Sequence, residues 1–142
     1  MIFYLYCWLF KKFGKKNLES YLRFFSFIPN INNGGCYLVA SILRKKFGGT
    51  IVYAMSNENY DEFKYRLKLG KITSANHVYL KLGKNYIDSR GIYRDYMVKW
   101  RYDNARKITK KYHKAILRKD CNIFWNNSFS ESKKETLKKL FL

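Results

Sequence analysis

At 142 residues, 47% of them hydrophobic, the chain holds enough apolar side chain for one core and hardly two, which argues against a second domain. Its 29 basic residues against 10 acidic ones give a net charge of +19, a balance that draws polyanions such as nucleic acid, anionic lipid or an acidic cell-wall polymer. Most of that charge is lysine rather than arginine, the better residue for bidentate reading of a base, so sequence-specific base recognition is not expected; the same Lys-, Asn-, Ile-, Tyr- and Phe-rich mixture also arises in an AT-biased genome without selection for binding.

The chain starts with an apolar stretch, Ile2 to Phe10, too short to span a bilayer and with no basic residue ahead of it as a signal peptide would have. It reads as a core or docking helix; the aromatic residues followed by Lys11, Lys12, Lys15 and Lys16 also suit an interfacial anchor. From Asn17 to Phe27 the apolar residues Leu18, Tyr21, Leu22, Phe24, Phe25 and Phe27 suit a largely buried helix. Pro29, the only proline, disfavours helix at Ile28, so Pro29 to Gly35 is a loop. Cys36 to Phe47 is a helix with Val39, Ala40, Leu43 and Phe47 on one face, basic residues near its end and Gly48-Gly49 to stop it. Thr50 to Ala54 is β-branched and aromatic and predicts a short strand, and Ser56 to Gly70 a short helix after an acidic first turn.

His77 to Leu82 alternates Val78, Leu80 and Leu82 with His77, Tyr79 and Lys81, the period of a half-buried strand whose core face and His77 face are opposite. Gly83-Lys84-Asn85 predicts a hairpin turn and Tyr86 to Asp88 the return strand, ended by Ser89-Arg90-Gly91. Tyr93 to Phe124 has no glycine or proline and reads as one or two helices, followed by a loop at Asn126-Asn127-Ser128. Ser132 and Glu135 have capping-box spacing ahead of a last helix. The expected organisation is one domain over residues 1–142, with a helical segment at 1–28 and a basic helical extension at 93–142.

Cys7, Cys36 and Cys121 lie in unlike settings and do not form the framework of a disulfide-stapled domain, which points to a reducing cytoplasmic or virion-associated setting. With no C-x-x-C pair and no histidine cluster, neither a metal site nor a cofactor is expected. Cys7 and Cys121 read as small buried hydrophobes. Cys36 is different: it follows Gly34-Gly35 and opens a helix, where unpaired N–H groups and the helix dipole favour a thiolate. His77 at a strand start and Asp88 on the return strand then supply a base and an orienting carboxylate, although a strand histidine is often a packing residue and an aspartate beside Ser89 and Gly91 is often a turn former. For the developing oxyanion the backbone N–H of Cys36 can serve, with Asn30, Asn32 and Asn33 as side-chain candidates that equally suit turns. His113, in a lysine-rich stretch, reads as a solvated surface residue.

G-G-C-Y-L-V-A-S-I-L, N-H-V-Y-L-K-L and N-Y-I-D-S-R-G together resemble the papain-like superfamily of thiol hydrolases and acyltransferases, in particular its NlpC-like cell-wall peptidase and transglutaminase-like branches. The resemblance runs from Asn30 to Gly91. It implies an α+β fold in which N-terminal helices, including a nucleophile helix, pack on a small antiparallel sheet, with C-terminal helices after it. It further implies Cys36 as nucleophile, His77 as general base and acid, Asp88 as orienting residue, and a peptide or amide substrate handled through an acyl-enzyme, in a cell-wall or phage-associated setting. The rival expectation is a non-enzymatic basic structural or nucleic-acid-binding module on a degenerate papain-like fold, a phage or virion component within a protein assembly. It would bind through Lys99, Arg101, Arg106, Lys107, Lys110, Lys111, Lys114 and Arg118, with Trp100, Tyr102 and Tyr112 to stack on bases. The same stretch on a helix also suits an amphipathic docking face.

Overall fold

The computed structural model describes residues 2–32, 34–69, 77–101, 104–106 and 122–141. Helix α1 (Ile2–Leu9) runs directly into a π-helical turn (Phe10–Gly14) and is followed by α2 (Leu18–Ser26) and α3 (Cys36–Phe47). Strand β1 (Thr50–Met55), helix α4 (Asn57–Lys68), strands β2 (His77–Leu82), β3 (Asn85–Asp88) and β4 (Gly91–Arg94), helix α5 (Asp95–Arg101) and strand β5 (Asn104–Arg106) come next. Helix α6 over 122–128 and α7 (Glu131–Phe141) complete the described chain. The fold is α+β, with N-terminal helices, an antiparallel sheet in the order β4-β3-β2-β1-β5, and C-terminal helices.

Local chemistry sets most of these boundaries. Asn17 caps α2, its side chain accepting from the Ser20 N–H at 2.9 Å, and Ile28-Pro29 prevents the helix from continuing. The β2–β3 hairpin closes tightly: Leu82 pairs with Asn85, leaving Gly83-Lys84 as a two-residue turn. Gly83 has φ +61°, the backbone that a type II′ turn requires at its first central position. Asn85 therefore belongs to the strand rather than to the turn predicted for it.

The sheet is wider than the sequence suggested. Strands β4 and β5 replace part of the helical stretch expected after Tyr93: β4 pairs with β3, Tyr86 opposite Tyr93, and β5 pairs with β1, Ala54 opposite Ala105. Two-residue turns and three-residue strands carry too little periodicity to announce themselves. Residues 102–103 and 107–121 of the predicted helical stretch lie outside the described residues. Residues 126–128 are helical rather than a loop, and α7 is capped by Ser130, whose hydroxyl accepts from the Lys133 N–H at 3.3 Å. Ser132 serves instead as partner to the Tyr4 hydroxyl at 2.6 Å.

Strand β2 is buried on both faces from His77 to Leu80, not half-buried. Val78 and Leu80 point into the clusters that α3 covers, while Tyr79 joins Tyr86, Val52 and Ala54 under Val98 of α5. The main core also takes in the last third of the chain. Phe124, Phe129, Leu137 and Leu140 are buried among Phe10, Phe24, Phe25 and Leu43. Phe141 sets its ring 5.5 Å from Phe10 and from Phe24 and 6.1 Å from Phe25, so the C-terminal helices close the core against α1 and α2 rather than extend from it. Among the described residues no helix is long and apolar enough to cross a membrane.

Candidate active site

Two glycines bring Cys36 to the start of α3. Gly34 has φ +98°, in the left-handed region that favours glycine. Gly35 has no room for a side chain: a Cβ there would sit 2.4 Å from the Ile31 carbonyl oxygen and 2.8 Å from the ring of Phe124. The turn that carries Cys36 is thus pressed between its own loop and α6. The Val39 N–H bonds back to the Gly35 carbonyl at 3.1 Å, closing the first helical turn. The N–H groups of Cys36, Tyr37 and Leu38 fall ahead of the first intrahelical bond and face the N-terminal end of the helix.

His77 opens β2 and Asp88 ends β3, and the hairpin register, continued from Leu80 opposite Ile87, places Asp88 across from Tyr79, two residues along from His77 and on the same face of the sheet. His77 Nε2 lies 2.8 Å from Asp88 Oδ2. Both residues are buried, His77 at 7% exposure and Asp88 at 2%, so water cannot substitute for either partner. The other carboxylate oxygen is also engaged: Asp88 Oδ1 accepts from the Arg90 N–H at 2.8 Å and the Gly91 N–H at 3.2 Å. The turn role expected of an aspartate beside Ser89 and Gly91 is therefore filled as well, and that turn holds the carboxylate that holds the imidazole.

Cys36 reaches His77 from the α3 side of the sheet, its thiol within hydrogen-bonding reach of the ring. With Nε2 committed to Asp88, Nδ1 is the nitrogen left for the sulfur. Burial alone would lower the pKa of His77. The hydrogen bond to Asp88, then that to Cys36, and the charges of both outweigh it and raise His77 from 6.5 to about 9. That balance favours the protonated imidazole at neutral pH. The Tyr79 ring packs edge-on to it, 4.5 Å between centroids, and fixes its plane.

One contact at the site was not foreseen. The Ser89 hydroxyl donates to Asn32 Oδ1, tying the loop ahead of Cys36 to the turn that carries Asp88. As oxyanion donors or turn formers the loop asparagines would act locally, and nothing in the sequence pairs Asn32 with a residue fifty-seven positions on. Asn30 instead takes a left-handed turn conformation, φ +57°, and is solvent-exposed, which is the role of a turn former. Asn33 lies outside the described residues.

The other sequence candidates separate from this centre. Cys7 is buried in the main core, and desolvation pushes its thiol up to about 11, the behaviour of an inert packing residue; Cys121 and His113 lie outside the described residues. Of the basic candidates, Lys99 and Arg101 belong to α5 and Arg106 to β5. Lys107, Lys110, Lys111, Lys114 and Arg118, with Tyr102 and Tyr112, lie outside the described residues. Among the described residues no group of three His, Cys, Asp or Glu side chains is arranged to hold a metal ion. No protein-family model matches the chain, and no match is found among curated proteins or solved structures.

Proposed function

We propose that the chain is a thiol hydrolase or acyltransferase of papain-like type, with Cys36 as nucleophile, His77 as acid and base, and Asp88 as orienting carboxylate. The observation that carries the reading is the chain of contacts from the half-buried Cys36 thiol to a buried imidazole whose Nε2 is held by the buried Asp88 carboxylate, an environment that raises the His77 pKa. A buried histidine that merely packs has no need of a thiol on one nitrogen and a turn-anchored carboxylate on the other.

The chemistry follows from that pairing. The Cys36 thiolate attacks the carbonyl carbon of an amide or ester, and the negative charge moves to the carbonyl oxygen, which the Cys36 N–H at the helix N-terminus stabilises. The C–N or C–O bond breaks as His77 delivers its proton to the leaving group, and a thioester remains on Cys36. Neutral His77 then takes a proton from water, or from an acceptor amine, as that molecule attacks the thioester; the acid or the new amide departs and the thiolate and imidazolium are restored. Asp88 holds the ring in position through the cycle. The charge of +19 favours substrates embedded in an acidic matrix, such as bacterial cell-wall polymer or the interior of a phage particle.

The test is hydrolysis of a peptide and peptidoglycan-fragment library by the wild type and by Cys36→Ala. Products formed by the wild type and absent from the variant support the reading. A library cleaved equally by both removes it. The same charge also supports a second reading, a basic structural module that binds nucleic acid without sequence preference. Retardation of DNA that weakens steeply with salt, in a protein whose Cys36 alkylates no faster than an unstructured thiol, would favour that reading over the first.

A further inference from the structure

We propose that α1 and the π-helical turn after it form a docking surface for an anionic lipid bilayer, lying in the plane of the interface rather than crossing it. Helix α1 carries no charged residue on any side. Phe3, Cys7, Phe10 and Gly14, at helical spacing, face the core. Ile2, Leu5, Leu9 and Phe13, also at helical spacing, form a second stripe on the opposite side, with Trp8 beside it. Among the described residues nothing covers that second stripe: Ile2 and Phe13 are 69% exposed, Leu5 54% and Trp8 50%. A soluble helix normally turns charged residues to this side, and four large apolar side chains left in water demand a partner.

The charge beside the stripe says which partner. Lys11, Lys12 and Lys16 are exposed, Lys15 half-exposed, and no acidic residue occurs before Glu19. Lys12 places its ammonium 4.4 Å from the centre of the Trp8 ring, so one side chain reaches from the apolar stripe toward the surrounding phosphates while packed on an aromatic that favours the interface. Between the segment and α2, a groove of about 390 Å³ opens along Leu9, Phe13 and Phe27 with Arg23 among its walls. An apolar cleft with a guanidinium in its wall fits a lipid acyl end beneath a headgroup phosphate. Two copies of this chain meeting face to face would oppose lysines with lysines. Nucleic acid would satisfy the lysines and leave Ile2 and Leu5 in water. The two segments have 8 and 5 residues, about 20 Å of helix against a hydrocarbon core of about 30 Å, which leaves only the interfacial orientation.

This surface is independent of the thiol site, and its test does not require activity. The intact protein is sedimented with vesicles of phosphatidylcholine alone and with vesicles carrying 30% phosphatidylglycerol, as wild type, as Trp8→Ser with Phe13→Ser, and as Lys11→Glu with Lys12→Glu. All four substituted residues are exposed, so circular dichroism should show the fold retained. The expected result is wild-type binding to the anionic vesicles only, weakened about tenfold or more in each double variant. Equal binding to both vesicle types, or anionic binding that both variants retain, overturns the proposal; the latter would place lipid affinity elsewhere on this basic chain. A wild type that sediments as a dimer without lipid, and as a monomer once Trp8 and Phe13 are replaced, would also overturn it, since a second copy would then own the face.

Discussion

His77 Nε2 and Asp88 Oδ2 lie 2.8 Å apart across a hairpin, both buried, and this bond leaves the other imidazole nitrogen for the Cys36 sulfur. Every functional expectation for the chain turns on that division of the ring.

Alkylation by iodoacetamide at pH 7 should separate the cysteines. Cys36 should react fastest, and Cys7, whose thiol burial pushes up to about 11, should stay unmodified in the folded chain. Replacing His77 with Ala removes the positive charge beside the sulfur and should slow Cys36 by about tenfold or more. Site-mapped mass spectrometry reads both sites in one experiment; Cys36 unchanged in the variant would mean that the imidazole does not activate it.

Asp88→Asn keeps the size of the side chain and removes the charge that helps to hold His77 protonated. The midpoint of the His77 imidazole, about 9 in the wild type, should move down in the variant when followed by ¹⁵N NMR. Hydrolysis by the wild type should fall as pH rises through about 9, because His77 then has no proton for the leaving group, and that limb should move with the NMR midpoint. A limb that stays in place while the midpoint moves would assign it to another group.

Stability should depend on pH through the same residue. His77 binds its proton at about 9 in the folded chain against 6.5 when unperturbed. The folded state therefore holds the proton more tightly, and its contribution is complete below pH 6.5 and lost as pH rises through about 9. The loss is on the order of 3 kcal/mol, and urea unfolding between pH 6 and pH 10 should show it in the wild type and not in His77→Gln. Parallel curves for the two proteins would refute the coupling.

Gly35→Ala adds one carbon where the Ile31 carbonyl and the Phe124 ring already touch. Relief requires α6 or the loop to shift, at about 1–3 kcal/mol, and the shift displaces Cys36. The variant should unfold at lower urea and lose Cys36 reactivity together. Reactivity preserved in a destabilised protein would show that α6 yields and the Cys36 turn does not.

Ser89→Ala cuts the tie to Asn32 without touching thiol, imidazole or carboxylate. The expected stability cost is modest, about 1 kcal/mol, with a lower Cys36 alkylation rate and no movement of the His77 midpoint. A shifted midpoint would mean that Ser89 acts on Asp88 and not on the loop.

The sequence by itself determined the elements whose signals are local. Pro29, the Gly34-Gly35 pair and the Gly48-Gly49 stop bracket the loop and α3, and the two-residue period from His77 to Leu82 fixes β2 and the face His77 takes, because backbone sterics and side-chain alternation act within a few residues. Cys36, His77 and Asp88 were legible as residue types in suitable places for the same reason. Their meeting was decided by tertiary structure: hairpin register lines up His77 with Asp88, while Cys36 arrives on a helix packed against the opposite face of the sheet. The short strands β4 and β5, the bond from Ser89 to Asn32 and the closure of the core by Phe141 were likewise settled by contacts distant in sequence. So was the protonation of His77, because burial strengthens a charge pair only after folding has removed the water between its partners.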